Sequence, residues 1–571
     1  MRTLHTPTRW NLNTLLSGFD MEQWDQQLNT IGKTLRSFDT TKMPKEQDLH
    51  RLSDIIQYLD SAESFYYCLT VEEIAPTTLS SFHSTITSLT TEARTIRSNW
   101  QELLDTMSHP QREDWSYTIS HRRLIAELTG GARSNGSLTA LKSLEERYLD
   151  QVRNLTVHAD LGEGETILPF SEANKISMTH ADPAIRERAF QGLNRALQAK
   201  APEAASIYNE MVGLRLEDHK QDRVDYLDDS LVANGISSAT LHAMWDAVDA
   251  HLDAFSAYLS IKAKEAGKEK LSWLELMTTP EDDSPKVPFP QAIEGILTSF
   301  KTIDPRMTDF VKEALSNGWV DAEARPGKPS GGFCAPFLTQ GESRISLSYD
   351  NSLDSARRLA HELGHAWHFK QMKPIPTLRS LDETLEMTTA ESASILFETA
   401  LIDEVIQGTH DPAIKKSILG WKVERSINYL MSIRAAYLFE TAFYEKRKSG
   451  PIPEEEMEAL LLVSQQKAYG NRLKEYEPCL WMKYPHFFRA DLSFYNYPYS
   501  FGFLFSISLL ELAREHDGFA HSFQSFLSET GMLPLEELTK KHFNIDLSHP
   551  ALWEQTMRRV EEDVKEYSQC M

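Results

Sequence analysis

The 571-residue sequence contains few cysteines and no closely paired ones. Its four cysteines, at positions 68, 334, 479 and 570, are far apart and form no CxxC motif. This spacing excludes a disulfide framework and favours a reducing compartment. The N-terminal residues also lack the basic, apolar and small-residue pattern of a signal peptide. We therefore expect a cytoplasmic protein.

The sequence also lacks an excess of positive charge and a long apolar run. Lys and Arg number 59 against 83 Asp and Glu, which gives a net charge of −24. Nucleic-acid binders need the opposite balance to neutralise phosphates, so we expect no nucleic-acid partner. The most apolar run, FGFLFSISLLELA from Phe501, is shorter than the ~20 residues that cross a bilayer. It predicts a buried helix, and we expect no membrane partner.

Signals for β-strands are sparse, whereas helical periodicity runs through most of the chain. MEQWDQQLNTIGKTLRSF and LTALKSLEERYLDQVRNLTV, for example, carry apolar residues at three- and four-residue spacing. The clearest strand signal is SRISLSYD, from Ser343, in which apolar and polar residues alternate. The stretch before it, ARPGKPSGGFCAPFLTQGES, is rich in Gly and Pro and is predicted to be irregular. The pattern predicts a mainly α protein with a small β-sheet.

The stretch RRLAHELGHAWHF, from Arg357, contains two histidines four residues apart. On a helix, His361 and His365 lie one turn apart on the same face, so both imidazoles can reach one ion, while Glu362 points to the side. The alternative is a solvated polar face. The apolar residues around the motif predict a buried helix instead, and burial of these polar groups without a partner is costly. The stretch therefore predicts a metal site.

A catalytic zinc takes three protein ligands and leaves a fourth position open, so a third ligand must come from elsewhere. The predicted zinc helix ends before the prolines of KPIP, and a second helical stretch follows, LDETLEMTTAESASILFETALIDEV. Glu391 is its strongest ligand candidate, because small neighbours permit close packing there. Glu383, Glu386 and Glu398 are alternatives. Glu398 lies on nearly the same face and is a candidate to hold a ligand histidine in one tautomer.

These stretches and two others resemble the oligoendopeptidase F branch of the thimet-oligopeptidase family of zinc metallopeptidases. The resemblance is carried by GKPSGGF (327–333), by LAHELGHAWH with TAESASILFE, and by HFFRADLSFYNYPYSFGF near the C-terminus. It covers nearly the whole chain. It implies a large helical zincin-like (gluzincin) shell around a deep substrate channel, with the small β-sheet beside the zinc helix. On this basis we divide the chain into an N-terminal helical region (1–195) and a catalytic domain (196–571).

The resemblance also implies roles for individual residues. His361, His365 and Glu391 match the ligands of one Zn²⁺ ion per chain. Glu362 matches the general base, and Glu398 matches a carboxylate behind the metal site. The ligand set is also compatible with manganese or cobalt.

Near the C-terminus, the resemblance implies that His486 and a tyrosine polarise the substrate. Tyr495, Tyr497 and Tyr499 are all candidates for the hydroxyl that reaches the oxyanion. We rank Tyr499 first and Tyr497 second, and expect at least one of the three to serve only in packing. Phe333 stands where a tyrosine is common in the family.

The implied function is a zinc-dependent endopeptidase that hydrolyses short unfolded oligopeptides by Glu-assisted attack of zinc-bound water. Short peptides are the expected partners. The strand from Ser343 is expected to be an edge strand that holds the substrate backbone. The loop glycines Gly327, Gly331 and Gly332 would provide hinges for closure over it.

Two other functions remain open at the level of the sequence. One is a zinc carboxypeptidase or dipeptidyl carboxypeptidase on a related helical fold, which would add a cationic group for the substrate C-terminus. The other is a non-hydrolytic peptide-binding protein with a structural zinc. The intact Glu362 argues against the second alternative, because a structural zinc site needs no general base.

Overall fold

The structure is a computed structural model that describes residues 8–15, 18, 20–119, 122–129, 137–162, 164–278, 285–325, 328, 331–372 and 375–570. Gly327, one of the predicted hinges, lies outside the described residues.

In chain order the helices are α1 Met21–Leu35, α2 Glu46–Leu69, α3 Pro76–Thr106, α4 His109–Tyr117, α5 Arg122–Thr129, α6 Leu138–Arg153, α7 Phe170–Thr179, α8 Pro183–Gln198, α9 Ala201–Asp222, α10 Asp228–Ala233, α11 Ser238–Glu265, α12 Trp273–Met277, α13 Phe289–Ile303, α14 Pro305–Ser316, α15 Leu353–Gln371, α16 Leu381–Thr384, α17 Met387–Gly408, α18 Pro412–Ile427, α19 Ile433–Arg447, α20 Glu454–Ala468, α21 Leu480–Lys483, α22 Tyr497–Glu515, α23 Phe519–Ser528, α24 Leu535–Phe543 and α25 Pro550–Gln569. The strands are β1 Thr156–Asp160, β2 Glu165–Pro169, β3 Val320–Asp321, β4 Gly332–Phe337 and β5 Glu342–Leu347. The mainly α fold with small sheets is confirmed.

The chain forms two compact units, each assembled from separate segments. The first unit comprises Met1–Arg133, Val287–Leu401 and Leu510–Asn544. The second comprises Ser134–Lys286, Ile402–Leu509 and Ile545–Met571. The proposed division into a helical region 1–195 and a catalytic domain 196–571 concerns which part carries activity, and it stays a prediction.

The first unit contains a three-stranded sheet in the order β3-β5-β4. β5 is parallel to β3 and antiparallel to β4, with Cys334 opposite Ile345. The prediction that the strand from Ser343 lies at an edge is therefore wrong, because β5 is the central strand. β4 occupies an edge instead, in a stretch predicted to be irregular. Its Gly332 and Pro336 resemble loop signals, but an edge strand tolerates proline.

α15, which carries the HExxH motif, packs directly against this sheet through contacts with β4 and β5. The helix begins after Ser352, whose side chain accepts a hydrogen bond from the Ser355 amide and caps the first turn. It ends at Gln371, just before the proline-rich stretch, as the sequence predicts. The other face of β4 adds Ala335 and Phe337 to an apolar core built mainly by α1, α2 and α3. The small sheet beside the predicted zinc helix is confirmed.

Among its described residues, the second unit is mainly helical and its strands are those of the antiparallel hairpin of β1 and β2. Its most extensive helix pair is α11 with α25. The apolar run from Phe501 lies in α22 and is buried, as predicted, with the Phe501 ring 5.2 Å from that of Trp553. Within the described residues, no helix has the length and apolar character needed to cross a membrane.

Candidate metal centre

Two helices of the first unit bring His361, His365 and Glu391 together. Their potential ligand atoms all lie within 4.8 Å of one another. The Nε2 atoms of the two histidines are 3.1 Å apart, and His361 Nε2 is 3.7 Å from Glu391 Oε2. α15 supplies both imidazoles, and α17 supplies the carboxylate. Two neutral imidazoles and one carboxylate form a donor set that zinc uses in catalytic sites.

The electrostatics of the three side chains also fit a cation. Burial raises the pKa of Glu391 and lowers the pKa of His365 well below its usual value. Burial also acts to lower the pKa of His361, but its hydrogen bond with Glu398 and the charges of Glu391 and Glu398 outweigh this effect and raise it. A neutral His365 is ready to coordinate, and a divalent cation would compensate the buried carboxylate.

Gly364 explains how α15 and α17 come close enough to share an ion. A Cβ atom at this position would lie 2.8 Å from Phe397 Cδ2 and 2.9 Å from the Cα of Ser394. Any side chain there would push the two helices apart. The small residues around Glu391 on α17 were predicted to permit close packing, whereas a role for Gly364 was not predicted. The glycine between the two histidines was the available signal.

The other glutamates proposed as ligands have different partners. Glu383 forms ion pairs with Arg97 at 2.6 Å and with Arg94 at 2.9 Å. Glu386 accepts a hydrogen bond from Thr389 at 3.0 Å. The geometry therefore favours Glu391 over both as the third ligand.

Glu398 lies behind His361. One of its carboxylate oxygens, Oε2, is 3.2 Å from His361 Nδ1. An Nδ1–H that donates to this carboxylate leaves the lone pair of Nε2 for a metal. The same Oε2 accepts a hydrogen bond from Arg357. Sequence reasoning missed Arg357, although its position one turn before His361 on the same helix face was an available signal.

Glu362 is buried at 7% exposure and lies beside the first residue of β4. Its Oε1 would be 3.0 Å from a Cβ atom on Gly332, so the edge strand starts against this carboxylate. Burial raises the pKa of Glu362 to about 7, and the nearby His361 acts in the opposite direction. A carboxylate tuned in this way can exchange a proton near neutral pH.

His486 lies in the second unit, within a cluster of polar and aromatic residues. Its Nδ1 is 2.6 Å from Asn496 Oδ1, and its ring is 4.8 Å from that of Tyr495. The Tyr499 ring is 6.1 Å from the Tyr495 ring. Burial lowers the pKa of His486, and the charge of Arg489 lowers it further. Asn496 lies in the same stretch as the tyrosines, but its contact with His486 was not predicted.

Tyr497 has a buried hydroxyl with several protein partners. The hydroxyl lies 3.1 Å from the carbonyl oxygen of Ser230, to which it donates, and 3.2 Å from the side-chain oxygen of Ser230. Asn234 also contacts it, at 3.3 Å. Burial raises the pKa of Tyr497. Because the hydroxyl already donates to Ser230, it does not suit the role of donor to substrate, for which Tyr497 was ranked second. The environment instead matches the expectation that at least one of the three tyrosines serves only in packing.

The predicted site residues lie in a stretch that matches a known family. Residues 176–559 match the family described as Peptidase family M3, which is more than half of the chain. This chain belongs to peptidase family M3. His361, His365 and Glu391 all lie within the matched region, as do Glu362 and His486.

Relatives of this M3-family chain have names that agree with the resemblance found in the sequence. It is 26% identical over 336 residues to a protein of Borreliella burgdorferi named oligoendopeptidase F homolog, covering 57% of this chain and 55% of that protein. It is 21% identical over 351 residues to oligopeptidase PepF of Bacillus subtilis, covering 60% and 51%. The chain thus spans about half the length of the curated relatives it matches.

The fold matches solved structures over nearly the whole chain. A crystal structure of oligoendopeptidase-F from Enterococcus faecium aligns with a TM-score of 0.67 at 15% identity, covering 96% of this chain and 99% of that one. At this identity the likeness concerns the fold alone. The family match and the named relatives confirm the predicted membership of the oligoendopeptidase F branch.

Proposed function

We propose that this M3-family protein is a zinc-dependent endopeptidase that hydrolyses short unfolded oligopeptides. The observation that carries the proposal is the convergence of His361, His365 and Glu391 beside the buried Glu362. The relatives named oligoendopeptidase and oligopeptidase support the substrate class.

His361 and His365, through their Nε2 atoms, and Glu391, through its carboxylate, would hold one Zn²⁺ ion. When bound, zinc supplies Lewis acidity, which lowers the pKa of water and polarises a carbonyl group. The protein contributes a fixed set of donors, because Glu398 orients the imidazole of His361 through Nδ1.

Glu362 would move the protons of the reaction. Its carboxylate accepts a proton from the attacking water and then passes it to the amine that leaves. The pKa of about 7 that burial gives this side chain suits both steps. Because Glu362 is not one of the three clustered donors, its role as a base leaves the donor set unchanged.

β4 would hold the backbone of the peptide. As an edge strand it can pair with an extended peptide through main-chain hydrogen bonds. Because β5 is central and already pairs with β4 and β3, β4 rather than β5 would pair with the substrate. The contact of Gly332 with Glu362 would bring the paired backbone close to the base.

Tyr499 is our candidate for a donor to the oxyanion, with His486 as its partner in the same cluster. The hydrogen bond between His486 and Asn496 determines whether His486 can donate a hydrogen bond to the oxyanion. If Nδ1–H donates to Asn496 Oδ1, Nε2 of a neutral ring is an acceptor. If the Asn496 amide is rotated, its Nδ2 donates to His486 Nδ1. The proton of the neutral ring is then on Nε2, which becomes a donor. Among the described residues, Asn496 Nδ2 has no hydrogen-bond partner in the present orientation.

Glu362→Gln tests the proposal directly, because it preserves size while removing the base. We expect turnover of a mixed short-peptide library, followed by mass spectrometry, to fall ~100-fold or more while zinc content stays unchanged. The matched control is Glu313→Gln, at a 45% exposed side chain on α14, which should leave turnover unchanged. A chelator should abolish cleavage by the parent protein.

Unchanged turnover in Glu362→Gln with zinc still bound would contradict the proposed mechanism. The same library separates endopeptidase from exopeptidase activity when its peptides are compared with and without C-terminal amidation. Internal cleavage of both forms supports the proposal, whereas a strong loss on amidation would favour a carboxypeptidase.

A further inference from the structure

Arg357 connects the metal centre to the start of α15. It lies one helical turn before His361, and its side chain is 12% exposed. Its Nη1 donates to Oε2 of Glu398, the same oxygen that lies 3.2 Å from His361 Nδ1. One carboxylate oxygen therefore serves both the guanidinium and the imidazole.

The guanidinium is itself held in place from the other side. Arg357 Nε donates to Asp354 Oδ1 at 3.0 Å. A planar guanidinium fixed at two points has little freedom to rotate, so its orientation determines the orientation of the carboxylate it contacts. Asp354, Arg357, Glu398 and His361 thus form a continuous chain of hydrogen bonds that ends at a proposed ligand.

The positive charge of Arg357 lies close to three buried carboxylates, those of Glu362, Glu391 and Glu398. The side chain of Glu398 is only 4% exposed. Arg357 also acts electrostatically on Glu362 and Glu391. Three carboxylates so close to one another repel, and a fixed cation behind them reduces that repulsion without occupying the site of the metal.

We propose that Arg357 is a positioning residue of the metal centre, which acts through Glu398 to hold His361 with Nε2 available for coordination. This inference rests on the proposed zinc site and adds to it a residue that touches neither metal nor substrate. The alternative is an ordinary salt bridge that contributes to stability alone.

Zinc affinity of the metal-free protein, measured by competition with a chromophoric chelator, separates these alternatives. We expect Arg357→Met to weaken zinc binding ~10- to 100-fold, the range for loss of a group that orients a ligand. Arg357→Lys retains the charge but not the planar fork, and its affinity should lie between those of the parent and Arg357→Met. It also provides a second variant should Arg357→Met fail to fold.

Arg358→Met is the matched control. Arg358 is the next residue and pairs with the other oxygen of Asp354 at 2.6 Å, but its side chain is 39% exposed. We expect its replacement to change zinc affinity less than ~2-fold. An equal loss in Arg357→Met and Arg358→Met would overturn the inference.

A second comparison tests whether the effect passes through Glu398. In a Glu398→Ala background, Arg357→Met should weaken zinc binding less than ~2-fold further, because the oxygen that Arg357 and His361 share is already gone. An undiminished effect in that background, or no effect of Arg357→Met in the parent, would overturn the inference. Zinc binding without peptide cleavage by the parent protein would refute the proposed activity and leave this test valid. A parent protein that binds no zinc would overturn both.

Discussion

The two nitrogens of His361 show how single atoms divide the work at the metal centre. Nδ1 lies 3.2 Å from Glu398, while Nε2 faces His365 and Glu391. This division follows from the packing of α15 against α17, which places Glu398 on the Nδ1 side of the ring and the other donors on the Nε2 side. The next residue, Glu362, is controlled in a different way, by burial and by the absence of a side chain at Gly332.

Gly332→Ala should impair catalysis without removing the metal. Its Cβ atom would lie 3.0 Å from Glu362 Oε1 and 3.3 Å from the carbonyl oxygen of Ser346. Because the carboxylate is the flexible neighbour, we expect it to move, and kcat to fall ~10- to 100-fold with unchanged zinc content. Steady-state kinetics and metal analysis would measure both.

The control for this substitution is Gly518→Ala, where a Cβ atom would meet nothing within 4 Å. It should retain the kcat of the parent. If Gly332→Ala also retains it, the edge strand does not constrain Glu362 as we describe.

At the scale of whole elements, the close approach of α15 and α17 creates the proposed ligand set. Neither helix alone carries three ligands, since the histidines lie on α15 and Glu391 lies on α17. Gly364 permits the approach, and the sheet of β3, β5 and β4 supports α15 from another side. β5, predicted to be an edge strand, is central and buried, whereas β4, predicted to be irregular, is an edge strand because its only partner among the described strands is β5.

Gly364→Ala should destabilise this helix pair. The added methyl would meet Phe397 at 2.8 Å and the backbone of Ser394 at 2.9 Å, and the backbone cannot yield cheaply. We expect a loss of about 2 kcal/mol in the free energy of unfolding, typical of overpacking, together with weaker zinc binding. Urea denaturation and chelator competition would measure the two effects.

Gly408→Ala, at the end of α17, provides the comparison because a Cβ atom there has open space. Its effect should stay within about 1 kcal/mol, the difference in helix propensity between the residues. Equal stabilities of the two variants would show that the helices do not meet at Gly364.

At the scale of the whole molecule, buried carboxyl groups make stability depend on pH. Burial raises the pKa values of Asp60, Glu386 and Glu440 to about 7 in each case. The folded protein keeps these protons at a pH where the unfolded chain has released them. Each group therefore contributes stability that is present below its ordinary pKa and is lost as pH rises toward 7.

Glu440→Gln isolates one such contribution. The Gln oxygen can still accept the hydrogen bond that Glu440 takes from the Phe494 amide at 3.0 Å, but the amide never ionises. Relative to the parent, this variant should gain about 3 kcal/mol in the free energy of unfolding between pH 4.5 and pH 8. Urea denaturation at several pH values would measure the gain.

Glu445→Gln, on the same helix α19, should behave differently. The hydrogen bond from Lys448 lowers the pKa of Glu445, so its contribution to stability is present at neutral pH and is lost on acidification. This control should show no gain in stability as the pH rises. A flat difference between Glu440→Gln and the parent would mean that Glu440 is ionised in the folded state.

The sequence by itself determined the local features of this protein. The 3.6-residue period predicted the helices, and HExxH placed His361 and His365 on one face of α15, because these relations depend on neighbours within one or two turns. The resemblance to a family selected Glu391 from several glutamates. It also identified the oligoendopeptidase F branch, which the comparisons confirm.

Only the tertiary structure decided which distant residues meet. The contact of Gly332 with Glu362, the packing at Gly364 and the link from Arg357 to Glu398 join residues 30 to 41 positions apart. The hydroxyl of Tyr497 is enclosed by residues more than 260 positions away. A local pattern cannot encode such contacts, because they arise only when separate elements bury their apolar faces against one another.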